Sequence, residues 1–337
     1  MAWRLLLSTT SCIRTLHTLK PSPPPLSYHG SSNNKLSPRR PPFHSTNSNS
    51  IVQSSSFRGP LAPRGVAPCR ASKRDAAPEE GQLVRNAQQA ALWAAEAAYI
   101  VWLFLLPYAP GDPVWAISSN TIHDLVGLSL NFFFVLPLLN SVGIHVIEGP
   151  VFHPMSEGLF NFVIAWTLLY APLLFTDRRR DRFKGSLELL WGFQMFLTNT
   201  FLIPYMAIRL NDVETKNALP KPSGLASAMT RGAFLVGLIG GGVCLFSAVW
   251  SLFGRSDGDF GGIAERWEFL QTYIGSERFA YAFVWDICLY AIFQPWLIAD
   301  NLQNVKTESV GVVRTLRFIP VVGLVAYLVS LDYDKVL

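Results

Sequence analysis

The sequence predicts an all-α protein: a transmembrane bundle of six to seven helices behind a disordered N-terminal leader. Three observations support this. Of the 337 residues, 50% are hydrophobic and only 15% are charged, whereas soluble domains carry about a quarter charged residues. The apolar residues form seven long runs, and a helix needs roughly 20 such residues to cross the hydrocarbon of a bilayer. Finally, no acidic residue precedes Asp75.

The N-terminal tract differs in kind from the rest of the chain. Residues 1–74 hold eleven Lys or Arg and no Asp or Glu, while the remainder holds 17 basic and 23 acidic residues. The basic character therefore belongs to this tract, and nucleic-acid binding is not expected. An Arg-, Ser- and Pro-rich stretch without acid is typical of an organelle transit peptide. We expect residues 1–70 to be a chloroplast transit peptide cleaved near Ala71, with a mitochondrial presequence as the alternative.

After the leader we expect a polar N-tail over residues 71–89 and a transmembrane domain over residues 90–337. The third, fifth and sixth apolar runs lack a polar face, which argues against a soluble bundle. Glu96 weakens the first run, so six crossings with an interfacial first segment are favoured over seven. The seven runs cover about 90–109, 121–142, 157–175, 187–208, 232–253, 279–298 and 318–331.

A basic loop between the third and fourth runs should set the orientation. It contains Arg178, Arg179, Arg180, Arg182 and Lys184, and positive loops stay on the side of entry. With six crossings this loop lies on the same side as the N-tail, and with seven it lies opposite. Further along, Ile263, Trp267, Leu270 and Ile274 follow helical spacing. They predict a short amphipathic helix that is either interfacial or a soluble cap.

Three histidines follow the leader, and all lie near carboxylates within one 31-residue window. Imidazole and carboxylate groups gathered at one membrane surface could hold a metal, ligate haem or relay protons. The spacing matches no metal-enzyme motif, and the prolines at 150 and 154 place part of the window in a loop. Ordinary interfacial histidines are therefore the alternative, and no cofactor is assigned. The candidate metal ligands are His123, His145, Glu148, His153 and Glu157.

Polar residues inside the apolar runs supply the second group of candidates, because buried charge in a bilayer is costly and usually faces protein or water. Asp286 is the deepest charge and the best single candidate, and we expect it to bond Glu188 or Asn199 from another helix. The spacing also places Glu188 and Asn199 on one face of a continuous fourth helix. Two further polar pairs, each on one helix, are Glu157 with Asn161 and Asp124 with Asn131.

Three functions remain open at this stage. The first is a non-catalytic assembly or stability factor for a complex in a plastid membrane, thylakoid or inner envelope, with the bilayer and other subunits as partners. Its support is the scattered polar residues, the absence of a catalytic motif, and the GxxxG at Gly237 and Gly241, which allows close helix packing. The alternatives are an embedded enzyme acting on a carotenoid, quinone or lipid, and a transporter or channel.

Overall fold

The computed structural model describes residues 76–145, 147–212, 223–255 and 258–336. The predicted leader, the first residues of the N-tail and the connection through Pro220 lie outside this part of the chain. Thirteen α-helices occupy the described ranges, and no named strand occurs among them. They are α1 Ala76–Ile100, α2 Ser119–Leu130, α3 Val135–Ser141, α4 Pro154–Phe175, α5 Leu187–Leu197, α6 Asn199–Ile208, α7 Gly224–Arg231, α8 Ala233–Phe253, α9 Ile263–Ser276, α10 Arg278–Asp300, α11 Val310–Leu316, α12 Val322–Val329 and α13 Tyr333–Val336.

Three of these helices, α4, α8 and α10, are long and apolar enough to cross a membrane, and a bent α2–α3 pair would make four. The all-α prediction is confirmed. Six to seven such helices are not found among the described residues. Helix α4 is the centre of the bundle, since 83% of its apolar window is buried, against 28% for α8 and 33% for α10. Much of the surface of α8 and α10 is therefore exposed.

The bundle has two ends, which contacts along α4 define. Phe160 packs on Phe283 near the start of α4, and Asp177 accepts a hydrogen bond from Asn301 just beyond its end, so α4 and α10 run in parallel. Helix α8 is antiparallel to both, because Gly158 near the start of α4 lies against Ser251 near the end of α8. We call the end at Glu157 the glutamate end, and the end at the basic loop 178–184 the arginine end.

Helix α1 and the π-helical turn Val101–Leu105 run the whole depth of the bundle. Gln89 donates to the carbonyl of Ala207 at the arginine end, and the carbonyl of Leu106 accepts from Arg278 at the glutamate end. Helix α1 is nevertheless not among the helices long and apolar enough to cross a membrane. Residues 76–89, within the predicted polar N-tail, are helical as the first part of α1. Glu96, which weakens the first apolar run, is buried against the bundle.

The second predicted segment is not a straight helix. It breaks at Phe132–Phe134, and the two halves are bent by about 40°. Thr121 donates to Glu277, and Asn131 donates to Glu157, so both ends of α2 contact the glutamate end. The pair thus lies on this end instead of reaching the other.

The fourth predicted segment also breaks, and here the chain reverses. Thr198 has φ 41° and ψ −112°, and the rings of Phe193 and Phe201 stack at 5.4 Å, where a continuous helix would separate them by about 12 Å. Trp191 packs against Phe175, and Tyr205 binds Asp177, so α5 begins and α6 ends at the arginine end. We call this pair the first hairpin. Its arms of 11 and 10 residues are about 15 Å long, half a bilayer core.

The last predicted segment forms one arm of a second hairpin, α11–α12. Its two ends are tied together at the arginine end, since Val305 pairs with Leu331 in an antiparallel bridge and the Lys306 N–H donates to the Ser330 carbonyl at 2.9 Å. The tip, residues 317–321, turns through Val321 at φ 63°. Arms of 7 and 8 residues make it shallower than the first hairpin, about 10–12 Å deep.

The GxxxG glycines of the fifth predicted segment pack against another helix of the same chain. A Cβ on Gly241 would lie 2.7 Å from Val325 of α12, and one on Gly237 would lie 3.2 Å from Leu328. These glycines let the second hairpin approach α8 closely. The predicted amphipathic helix is confirmed as α9, and it carries Ile263 and Trp267 on an exposed surface at the glutamate end.

Candidate functional site

Asp286 lies on α10, where the tip of the first hairpin meets it. One carboxylate oxygen, Oδ1, accepts from the Thr198 hydroxyl at 2.6 Å, the Asn199 amide at 2.7 Å and the Tyr99 hydroxyl at 3.1 Å. The side chain is only 1% exposed. Counting residues along α10, it lies about 12 Å from the glutamate end and about 21 Å from the arginine end. Asn199 is one of its two predicted partners.

The local sequence explains why the hairpin turns here. Thr198, Asn199 and Thr200 interrupt an apolar run, and short polar side chains compete with the helix for backbone hydrogen bonds. The Thr198 N–H still bonds the Gln194 carbonyl at 2.8 Å, which ends α5, and α6 begins at the next residue. The last carbonyl groups of α5 and the first N–H groups of α6, which lack partners within their own helices, therefore gather beside Asp286.

Several polar atoms near this tip have no well-formed hydrogen bond. They are both amide atoms of Gln194, the amide oxygen of Asn199 and the hydroxyl of Thr200. Gln194 and Asn199 are fully buried, and Gln194 lies beside the Tyr290 hydroxyl on α10. Among the described residues, no Lys, Arg or His forms an ion pair with Asp286. The site thus has unused polar capacity around one carboxylate.

The tip of the second hairpin is held differently. Gln294, two turns beyond Asp286 on α10, accepts from Trp166 at 3.2 Å and from the Val321 N–H at 3.1 Å. Its amide nitrogen donates to the carbonyls of Arg317 and Ile319, both at 2.9 Å. All four hydrogen bonds of a primary amide are made. The Gln294 amide therefore has no unused polar atom, in contrast to the amides of Gln194 and Asn199 at the first tip.

Tyr290 connects the two tips along α10. Its hydroxyl lies 2.7 Å from that of Thr167, and its carbonyl accepts from the Tyr170 hydroxyl at 2.9 Å. Asp286, Tyr290 and Gln294 therefore make one buried polar line facing α4 and the hairpin tips. Helix α10 is the element that positions both hairpins.

A second polar cluster lies at the glutamate end. Glu157 receives Arg255 at 2.6 Å, the Trp250 indole at 2.8 Å and the Asn131 amide at 2.7 Å. Asn161 accepts from the Phe133 N–H at 2.5 Å, at the break between α2 and α3. Of the two predicted pairs, Glu157 and Asn161 meet Asn131 here, whereas Asp124, the predicted companion of Asn131, lies beside Glu277. Their carboxylate is neutralised by Arg255, so the cluster joins α2, α4 and α8.

The candidate metal ligands are not brought together. Among the described residues, no three His, Cys, Asp or Glu side chains lie close enough to share a metal ion. His123, His145 and Glu148 are exposed, and Glu157 binds Arg255. His153 stacks on Phe269 at 3.6 Å, while its Nδ1 accepts the Met155 N–H and caps α4. Burial, helped by the charge of Arg266, lowers the pKa of His153 to about 4.

A third cluster closes the arginine end. Arg209, fully buried, binds Asp177 through Nε and Nη2, both at 2.9 Å, and Asp300 through Nη1 at 3.0 Å. The Tyr205 hydroxyl donates to Asp177 at 2.6 Å. Burial opposes ionisation of Asp177, but the charge and hydrogen bonds of Arg209 outweigh it and hold the pKa below its usual range. The cluster ties the ends of α4, α6 and α10.

Sequence reasoning misplaced one candidate and missed others. Glu188 lies in the first turn of α5 at the arginine end, where it accepts from Ser186 at 2.7 Å, and it does not share a helical face with Asn199 because the helix breaks between them. Thr198, Tyr99 and Gln194 were missed. The Thr-Asn-Thr triplet inside an apolar run is the signal that could have located the break.

No protein-family model, curated protein or solved structure shows significant similarity to this chain, so its function rests on the geometry of the site.

Proposed function

We propose that this chain is an ion-transport protein of an organelle membrane, with Asp286 in the path of the ion. One observation carries the proposal: the tip of a half-depth helical hairpin meets a buried carboxylate that has unused polar atoms around it. Discontinuous helices whose ends meet near the bilayer centre are how many transporters build ion sites.

The energetics favour a functional reason for this tip. Each buried polar atom without a partner costs about 1–3 kcal/mol, and non-helical backbone at membrane depth is tolerated only inside protein or beside water. Gln294 shows that this bundle can hold a hairpin tip through a side-chain amide with all four of its hydrogen bonds made. Leaving Gln194 and Asn199 incompletely bonded is therefore not a requirement of the fold. A ligand at the first tip would satisfy them.

In this proposal the membrane is crossed four times, by α1, α4, α8 and α10, with two hairpins entering from the arginine end. Helices α1 and α4 each traverse the bundle once, so Arg85 and the basic loop at Arg180 belong on one side. The bent α2–α3 pair returns to the glutamate end without crossing. By the positive-inside rule, the arginine end faces the compartment of entry, the stroma in a plastid.

The proposed transport is tested with the full mature chain in proteoliposomes. We expect electrical currents on imposed gradients of Na⁺, K⁺ or H⁺, and we expect Asp286→Asn to abolish them while the protein accumulates and unfolds normally. Glu188→Gln is the matched control, since that carboxylate lies at the arginine end, and it should keep the wild-type current. Absence of current with every ion tested would refute the proposal.

The topology is tested by cysteine labelling in sealed vesicles. We expect single cysteines placed at Arg85 and Arg180 to react from the same side, and one placed at Asp259, in the loop before α9, to react from the other. Labelling of these two positions, Arg85 and Arg180, from opposite sides would mean either that the α2–α3 pair also crosses the membrane or that α1 does not cross it.

The address remains a proposal of its own. We place the protein in a chloroplast membrane, thylakoid or inner envelope, because the acid-free Ser- and Pro-rich leader suits plastid import better than mitochondrial import. A fluorescent reporter fused behind residues 1–75 is expected in plastids. Its appearance in mitochondria alone would move the protein to the inner mitochondrial membrane.

An assembly or stability factor is the second candidate. The observation in its favour is the outer face of α8, where Leu235, Leu238 and Leu245 are exposed in one apolar surface that a subunit could cover. The GxxxG no longer supports it, because those glycines pack within the chain. A mild-detergent pull-down from organelle membranes that returns a stoichiometric partner, lost when this face is made polar, would favour it over transport.

A further inference from the structure

We infer that the ligand of the Asp286 site is a monovalent alkali cation, Na⁺ or K⁺, bound by oxygen atoms at the tip of the first hairpin. This rests on the proposed function, because it names the ion. It starts from two facts on the carboxylate: Asp286 is 1% exposed, and its three hydrogen-bond donors, Thr198, Asn199 and Tyr99, are all neutral.

The charge balance requires a cation or a proton. An isolated carboxylate in a low-dielectric interior is strongly disfavoured unless it is paired or neutralised. The two other buried carboxylates with several partners, Glu157 and Asp177, each have an arginine against them. Asp286 has none among the described residues. One negative charge calls for one positive charge, which matches a monovalent ion, whereas divalent ions take several carboxylates or bound waters.

The surrounding atoms favour an alkali cation over a proton. Three donors already converge on Oδ1, and a proton on the carboxyl group would add one donor that can satisfy only one further acceptor. The unused acceptors are amide oxygens, Oδ1 of Asn199 and Oε1 of Gln194, both fully buried. Hard cations prefer carboxylate, amide and carbonyl oxygens. The last carbonyls of α5 end at the same tip, and helix C-terminal ends are where transporters coordinate Na⁺.

The test measures binding and needs no transport activity. The full mature chain in lipid nanodiscs is unfolded thermally in NaCl, KCl or choline chloride at constant ionic strength. We expect Na⁺ or K⁺ to raise the midpoint in a saturable manner, as binding to the folded state alone requires. Asp286→Asn should remove the shift, and Asn199→Ala should raise the half-saturating concentration at least about tenfold, because it removes one oxygen ligand. Glu188→Gln should leave the shift unchanged.

The outcomes separate this inference from the proposed function. A midpoint that ignores both alkali cations but shifts with pH in wild type and not in Asp286→Asn would show a proton site, and it would overturn the inference while leaving proton transport open. An alkali-cation shift that persists in Asp286→Asn would also overturn it. Cation binding at Asp286 without ion currents in proteoliposomes would support the inference and refute transport.

Discussion

Replacing Arg209 by methionine is expected to lower the free energy of unfolding by ~3–5 kcal/mol and to deplete the protein from its membrane. The reason is that the substitution leaves Asp177 charged and without a cation in a fully buried position, and breaking one side of a buried ion pair has a cost of this size. The ends of α4, α6 and α10 separate when this cluster is broken, since Arg209 also binds Asp300. Thermal unfolding in detergent and immunodetection in membranes measure both effects.

Two variants make this result specific. Arg209→Met combined with Asp177→Asn removes both charges and should recover most of the lost stability, because buried pairs are often replaceable by neutral groups. Arg179→Met removes a neighbouring cation that is 31% exposed and lies 3.6 Å from Asp300, and surface pairs contribute at most about 1 kcal/mol. Equal losses in Arg179→Met and Arg209→Met would show that the buried pair is not the source of the effect.

The pH dependence should change sign with the same substitution. In the native protein the pKa of Asp177 lies below the ordinary value of 3.8, so its stabilisation is present above about pH 4 and is lost as the pH falls further. Without Arg209, burial dominates and raises that pKa. The folded state then binds the proton more tightly than the unfolded chain, and the variant should lose stability as the pH rises above about 4.

Apolar run length predicted the bundle's core but not its topology. The runs containing Val163, Leu245 and Phe283 became α4, α8 and α10, which stay helical over more than 20 residues although a proline lies inside α4 and another inside α10. The run from 187 to 208 has the same length and looks alike in hydropathy. Its reversal depends on Thr198 at a positive φ, which only a partner such as Asp286, 88 residues away, stabilises. A hydropathy profile averages over neighbouring residues, so it contains no information on a contact between residues so far apart in the chain.

The charged residue Glu96 affected the prediction for the first helix in a different way. Glu96 lowers the apolar score of α1, yet its side chain is buried against the bundle and the far end of the helix is held by Arg278. The site was predicted in part for a similar reason. The cost of burying a charge in a bilayer identified Asp286 as a candidate. Its partner Asn199 was identified because it is a polar residue inside another apolar run. Tyr99 and Thr198 could not be assigned, since hydroxyl groups in membrane helices are common and commonly bond their own backbone.

The second large effect is expected at Arg278, whose guanidinium gathers four backbone carbonyls. Nη1 donates to Leu103 and Leu106 at 3.1 and 2.8 Å, and Nη2 donates to Ala109 and Gly111 at 2.8 and 2.7 Å. Because hydrogen bonds to charged groups contribute about 1.5–3 kcal/mol each and do not add fully, we expect Arg278→Met to cost at least ~3 kcal/mol and to release residues 103–111 from the bundle. Arg278→Lys, with three donors, should keep part of the anchor.

Local release can be told from global unfolding by two buried probe positions. In a Cys288→Ala background, a cysteine at Ala109 should resist a membrane-impermeant maleimide and become reactive when Arg278→Met is added, since Ala109 is only 3% exposed in the native structure. A cysteine at Ala233, fully buried at the arginine end, should stay protected in both. Arg314→Met, which removes an exposed arginine, is the charge-matched control. If the Ala109 position stays protected in Arg278→Met, the four carbonyls find other donors and α1 does not depend on this arginine.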